Sequence, residues 1–430
     1  MSQESLPFAV SLDLALGGPG ACSRGAFDAA LGEADKALAW LRAQNTARTL
    51  ELLSVPSRHD DLDAAQAVAD SYCKDTSDVA VLGIGGSSLG GQALKALEAR
   101  DRPGPRVTFH DNPDPESWQA AMAGFDLKTT RFIVISKSGG TAETLMQALT
   151  AADAIEKAGG AKYLKYHFAV VTEPKASPLR SFAQSIGAPV LDHPGGVGGR
   201  YSVLTMVGAL PALIMGLDVK ALRAGAQAVL DNALTASAKD VPAAAGAALH
   251  HALAGEGRLD QTVLWAYADK LATLSGWWRQ LWAESLGKDG KGSTPVGAVG
   301  PVDQHSQLQL FRDGPGRALF TILSTDTKGK GLVAPVDRMK ALGQDYLAGR
   351  TMGDLVAAEA RATAETLSRN KRPVRQIHVA RIDERHMGAL MMHFMLETIL
   401  MGRLMGVDPF DQPGVEEGKV LARTYLEAQK

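Results

Sequence analysis

Hydrophobic residues follow two alternating patterns along most of this chain. Short apolar runs at 79–84, 106–110, 132–135, 168–171 and 189–191 are each bounded by turn residues. Between them lie segments whose apolar positions recur every three to four residues. Runs of that length read as strands buried on both faces, and the periodic segments as covering helices. Their alternation predicts a doubly wound parallel sheet. The pattern resumes after residue 220, with strand-like runs at 262–267, 318–323 and 374–380 and helices near 273–286, 335–348 and 351–370. Helical spacing at 26–43 and 62–72 precedes the first sheet, and a Met-rich periodic stretch at 386–405 follows the second. The expected class is therefore α/β: a helical N-terminal segment (1–75), two α/β domains (76–218 and 219–384) and a C-terminal helical arm (385–430).

Several junctions in this pattern carry chemistry. The run at 132–135 gives way to Ser136, Lys137, Ser138, Gly139, Gly140 and Thr141, and then to a helix containing Thr144. A strand–loop–helix unit brings free backbone N–H groups and a positive dipole end to one point, and the hydroxyls add donors. A compact dianion such as phosphate suits that cradle. Gly85, Gly86 and Ser87 form a similar loop after the preceding strand pattern and are expected to face the same crevice. Neither a dinucleotide fingerprint nor a nucleotide P-loop fits, because Ser88 stands where the third glycine belongs and no G-x-x-x-x-G-K-[ST] occurs. The glycine-dense segment 195–203 delivers Arg200, whose planar fork of donors suits an oxyanion.

Glu284 follows Leu274, Trp277 and Leu281 at helical spacing, one turn from Gly287. It is expected on the face that buries those side chains and at the negative end of the helix dipole, both of which favour a proton on the carboxylate. A long Gly-rich loop then delivers His305. The tail contributes Gln412 and Lys419, the latter near the start of the last helix. His59, Asp60, Asp61 and Asp63 read better as a solvated helix start with capping acids than as a metal site.

Composition narrows the function classes. A hydrophobic share of 45%, a charged share of 21% and a net charge of −2 offer no electrostatic case for nucleic acid or an anionic membrane. Two cysteines, Cys22 and Cys73, make neither a disulfide framework nor a zinc knot. The stretch MSQESLPFAV has no export-signal character, and His393, Glu397 and Arg403 make the Met-rich stretch a buried helix rather than a membrane span. The expectation is a soluble cytoplasmic protein without a metal or cofactor.

Taken together, GIGGSSLGG (83–91), SKSGGTAET (136–144), GGRYS (198–202), WAESLGK (282–288), DQHSQLQ (303–309) and FDQPGVEEGK (410–419) resemble the blocks of the glucose-6-phosphate isomerase (phosphoglucose isomerase) family, in its order. The resemblance implies two sugar-isomerase-type domains, a homodimer, a hexose 6-phosphate substrate and no cofactor. It further implies that Gly86, Ser87, Ser136, Lys137, Ser138, Thr141 and Thr144 bind the sugar phosphate and that Gln412 contacts substrate. Glu284 would be the base, Arg200 the enediolate stabiliser, and His305, from the partner subunit, the ring-opening residue with Lys419 assisting. Competing readings are a non-catalytic sugar-phosphate sensor, an isomerase that also turns over mannose 6-phosphate, and, more remotely, a nicotinamide dehydrogenase. The chain departs from many members of the family in its short N-terminal region and in Ser138-Gly139-Gly140.

Overall fold

The computed structural model describes residues 6–99 and 101–428; Met1 to Ser5, part of the stretch read for an export signal, lie outside them. Two five-stranded sheets organise the chain. The first contains β2 (Asp78–Leu82), β3 (Arg106–His110), β4 (Thr130–Ile135), β5 (Phe168–Thr172) and β6 (Val190–Asp192), all parallel, in the order β3-β2-β4-β5-β6. The second contains β7 (Gln261–Ala266), β8 (Thr294–Val299), β9 (Ala318–Thr325) and β10 (Val374–Val379), in the order β10-β9-β7-β8. It is completed by β1 (Phe8–Ser11), which pairs antiparallel with β10, Phe8 opposite Val379.

Alternation along each strand explains why the apolar runs are unbroken. On β2, Val79 and Val81 face a core that continues into the second sheet through Leu264, Leu323 and Ile377. Ala80 and Leu82 point the other way, into a separate cluster with Phe132, Val134 and Phe168. Period-two geometry thus demands apolar residues on both faces. Full burial of a Val or Leu contributes about 1.5–3 kcal/mol. Leu62–Tyr72 packs on Met206–Ile214, and Val219–Thr235 packs along Glu384–Met405.

Four expectations change. Residues 8–11, in the segment read as helical, form β1, and 294–299, read as loop, form β8. Both are short edge strands whose order comes from a partner rather than from periodicity, and Pro295 is tolerated because β8 has a neighbour on one side only. The helix expected over 335–348 stops at Ala341 and is followed by the short turn Asp345–Leu347, with Gly343 at φ +69° between them. The Glu384–Met405 helix, expected in an arm, is buried from His386 through Gly402; the segment that extends outward is Glu416–Ala428, which has no buried residue.

Two acidic features also resolve. Asp61 caps no helix N–H but takes both arms of the Arg223 guanidinium at 2.7 and 2.9 Å. Glu397 is fully buried beside Arg375, His250 (3.4 Å) and His393 (3.5 Å). Burial alone would raise its carboxyl, yet Arg375 and the two histidines hold it down to about 2. Burial lowers His393 to about 4, so that contact joins a neutral ring to a carboxylate. Among the described residues no helix is long and apolar enough to cross a membrane.

Candidate active site

In the first sheet the strand order reverses between β2 and β4, and the two Gly/Ser loops leave the C-terminal ends of those strands. That is where open α/β sheets place ligands. Ser136 is buried at 2% exposure; its hydroxyl lies 2.9 Å from the Thr141 hydroxyl and accepts from Gly139 N at 3.1 Å. Gly140 N donates to Ser138 Oγ at 3.2 Å. Gly139 has φ +66°, and a Cβ there would overlap the Ser177 hydroxyl, so only glycine closes this turn. The helix Ala142–Ile155 starts at the loop, and its N-cap Thr141 makes no side-chain cap bond. Its first-turn N–H groups therefore have no intrahelical acceptor and no cap. Thr144 is buried with its hydroxyl unpartnered among the described residues. Lys137 turns aside, Nζ 3.6 Å from Glu173.

The 85–87 turn connects this cradle to the rest of the site. Gly86 packs so closely on the backbone of Gly199 that a Cβ would overlap it, and a Cβ on Gly85 would come within 2.9 Å of the Gln280 amide. Ser87 is half-buried on the same turn. The second loop thus touches both the Gly199–Leu204 turn, which carries Arg200, and the helix Asp269–Leu286, which carries Glu284.

Arg200 is the hub. It is 2% exposed, and protein acceptors take all three of its nitrogens. Nε donates to Ser285 Oγ (2.7 Å), Nη1 to Gln412 Oε1 (2.7 Å), and Nη2 to the carbonyls of Pro409 (2.6 Å) and Asp411 (2.9 Å). Glu284 Oε1 lies 3.3 Å from Nη1, and Glu284 Oε2 accepts from Gln280 Nε2 at 3.0 Å. Tyr201 braces the hub by reaching Ser285 Oγ (3.0 Å) and Pro409 O (3.2 Å) with its hydroxyl. Burial, opposed by the adjacent guanidinium, pushes that phenol up to about 12.

Glu284 corrects an expectation. Leu274, Trp277 and Leu281 are buried as expected, but Glu284 is 22% exposed and faces a polar cleft rather than the apolar stripe. Ten residues make about 2.8 turns, not three, so Glu284 emerges at the stripe's edge while Ser285 continues inward. The cleft encloses about 910 Å³ between Gln280, Glu284, Lys288, Asp411 and Gln412. Lys288, four residues after Glu284, does not pair with it but binds Asp408 O and the Asp411 carboxylate.

The structure thus brings together Arg200, Glu284 and Gln412, with Gly86 alongside, Ser136, Ser138 and Thr141 on the neighbouring loop and Thr144 in the helix that follows it. Two expected residues stand apart. His305 is exposed beyond β8, its imidazole without a partner among the described residues, and Lys419 is exposed and paired with Glu416 at 2.7 Å. Sequence reasoning overlooked Gln280, Ser285 and Tyr201; the first lies one turn before Glu284, and that i, i+4 spacing was the available signal. Among the described residues no group of three or more His, Cys, Asp or Glu side chains could hold a metal ion.

Comparison with known proteins bears on the whole chain. The profile of the family described as phosphoglucose isomerase matches residues 65–430. A glucose-6-phosphate isomerase from Rubrobacter xylanophilus is 39% identical over 375 residues, 85% of this chain and 87% of that protein. A probable glucose-6-phosphate isomerase from Haloarcula marismortui is 37% identical, covering 89% of this chain and 84% of its own. Of solved structures, a hypothetical protein from Thermus thermophilus matches with TM-score 0.87 and 32% identity over 97% of this chain and 99% of that one. A glucose-6-phosphate isomerase from Chlamydia trachomatis shares the fold, with TM-score 0.83 and 20% identity over 99% and 89% of the two chains.

Proposed function

This chain belongs to the phosphoglucose isomerase family, and on that premise we propose that it interconverts glucose 6-phosphate and fructose 6-phosphate through a cis-enediol, with Glu284 as the base. The observation that carries the assignment is the Glu284 carboxylate, held between Arg200 at 3.3 Å and Gln280 at 3.0 Å on the wall of an open cleft. A general base must be fixed in orientation yet reachable, and this one is both.

Glu284 takes the proton from C2 of the open-chain aldose. The electron pair left behind forms the C1–C2 double bond, and the charge that develops on oxygen is met by the Arg200 guanidinium. A proton passes from O2 to O1, and as the C2 carbonyl forms the same carboxyl returns its proton to C1, giving the ketose. Substrate oxygens gain Nη1 of Arg200 by displacing the Gln412 amide oxygen. The other arginine donors stay fixed on Ser285, Pro409 and Asp411, so the cation needs little reorganisation as charge appears. Ser87, Ser136, Ser138 and Thr141, with the loop N–H groups, hold the phosphate at the far end; Gly86 allows the close approach, while Thr144 and Lys137 border the cradle. Phosphate binding remote from the reacting carbons fixes their orientation.

Ring opening falls to His305, assisted by Lys419, with His305 supplied by a second copy of the chain in a homodimer. The exposed, unpartnered imidazole supports this, as do the exposed Val420, Leu421, Tyr425 and Leu426 on the outlying helix. The reaction serves glycolysis and gluconeogenesis in the cytoplasm and uses no cofactor.

The test is Glu284→Gln. It leaves the fold intact and lowers kcat by about 10²–10⁴-fold, and it stops exchange of the C2 proton with heavy water. Exchange at the wild-type rate in that variant removes Glu284 from the role.

A further inference from the structure

Behind the helix that carries Glu284 lies a second cavity, of about 310 Å³, which none of the roles above uses. Its walls are apolar: Trp282 and Leu286 from that helix, Leu259, and Met401, Leu404 and Met405 from the end of the Glu384–Met405 helix. Three polar groups edge it. Lys291 Nζ donates to the Met405 carbonyl at 2.8 Å and has no carboxylate partner among the described residues. Its charge is therefore unopposed, and two of its three N–H bonds remain to be used. Ser293 Oγ accepts from Trp282 Nε1 at 3.0 Å, which leaves its own O–H free to donate. His251 faces Glu33 at 3.2 Å, so that acid already has a partner. An apolar slot with an uncompensated ammonium at its edge complements a ligand that is apolar along its length and anionic at one end.

The cavity and the catalytic cleft share no lining residue but are built on the same segments. Trp282 and Leu286 bracket Glu284 and Ser285 on the same turn of helix. Lys291 ties the 287–293 loop to Met405, and Lys288, three residues earlier, ties it to Asp408 and Asp411. Arg200 in turn rests on Pro409, Asp411 and Gln412. We propose that this cavity is an effector site for a small apolar monocarboxylate, and that filling it shifts the 287–293 and 405–412 segments and so changes how the cleft holds its substrate.

Octanoate is the probe, octanamide its neutral counterpart, and calorimetry on the full chain reads the site independently of turnover. Octanoate saturates one site per chain, and octanamide binds about ten-fold or more weakly, as loss of a charge-assisted contact requires. Lys291→Gln brings octanoate down to the octanamide level. Ala254→Phe, at an exposed position on the cavity rim, fills the space and abolishes binding while isomerase activity and circular dichroism are kept. Saturating octanoate changes KM for fructose 6-phosphate by about five-fold or more in the wild type and not in Ala254→Phe. Equal affinity for octanoate and octanamide, full octanoate binding in Ala254→Phe, or kinetics unmoved by bound octanoate overturns the proposal.

Discussion

The two sheets carry the same junction and finish it in opposite ways. In each, a strand beside the point of order reversal (β4 in the first, β9 in the second) runs toward a helix whose N-terminus lies near the sheet's C-terminal edge. After β4 the connection takes six residues, 136–141, and the Thr141 cap leaves the helix start open. After β9 the chain wanders through 326–351 before the helix Met352–Arg369 begins. There Thr351 and Asp354 form a reciprocal capping box: Asp354 N donates to Thr351 Oγ1 (3.0 Å), and the Asp354 carboxylate accepts from Thr351 N (2.9 Å) and Gly329 N (3.0 Å). The second half therefore places its own anion at a helix start of the kind that the first half leaves uncapped. The two starts differ at the third helical position: Thr144 in the first, Asp354 in the second.

That contrast can be broken by exchange. Thr144→Asp installs the same box at residues 141–144, and a carboxylate then competes with the phosphate for the loop donors. KM for fructose 6-phosphate is expected to rise on the order of a hundredfold or more, the equivalent of two charge-assisted hydrogen bonds. Thr144→Asn, with the same shape and no charge, separates repulsion from crowding. If Thr144→Asp leaves KM unchanged in a folded protein, the phosphate does not sit at this helix end.

Ser136→Ala sharpens the comparison with a smaller effect. It removes the hydroxyl that organises Gly139 N and Thr141, and KM rises about ten-fold with kcat less affected. A fall in kcat alone would move Ser136 from the anchoring end of the cleft to the reacting end.

Asp354→Asn is the mildest change, and it should lower Tm slightly while kcat and KM stay as they are. Hydrogen bonds from the backbone of Thr351 and Gly329 hold the Asp354 carboxyl below its ordinary value of 3.8. A group depressed in the folded state stabilises it above the unfolded value, and that contribution fades as pH falls through the folded one. The Tm gap between wild type and Asp354→Asn therefore narrows as the pH falls below the ordinary value of 3.8. A gap that widens with acid would mean that the cap does not act through its charge.

Much of this was legible in the sequence, for a physical reason. Strands buried on both faces must be apolar throughout, so β2, β4, β5, β7 and β9 announce themselves, and the glycines after β2 and β4 mark close backbone approaches. β1 and β8 could not be read that way, because FAVS and TPVGAV acquire strand geometry from β10 and β7 rather than from any pattern of their own. Spacing put Glu284 on its helix but not its surroundings, since Arg200 reaches it from a turn more than eighty residues away. Gln280 and Ser285 passed unnoticed because they look ordinary until Arg200 is placed beside them.

The antiparallel pairing of β1 with β10 has a consequence for how the molecule comes into being. An early segment of the chain waits for a mate that is among the last to be made, and at about 5–20 residues per second that wait lasts tens of seconds. Until then β10's future neighbour is a solitary strip with open backbone groups, a template for any passing edge. The second sheet is thus sewn shut from both directions, and a fragment starting at its first parallel strand would be born with an unfinished border.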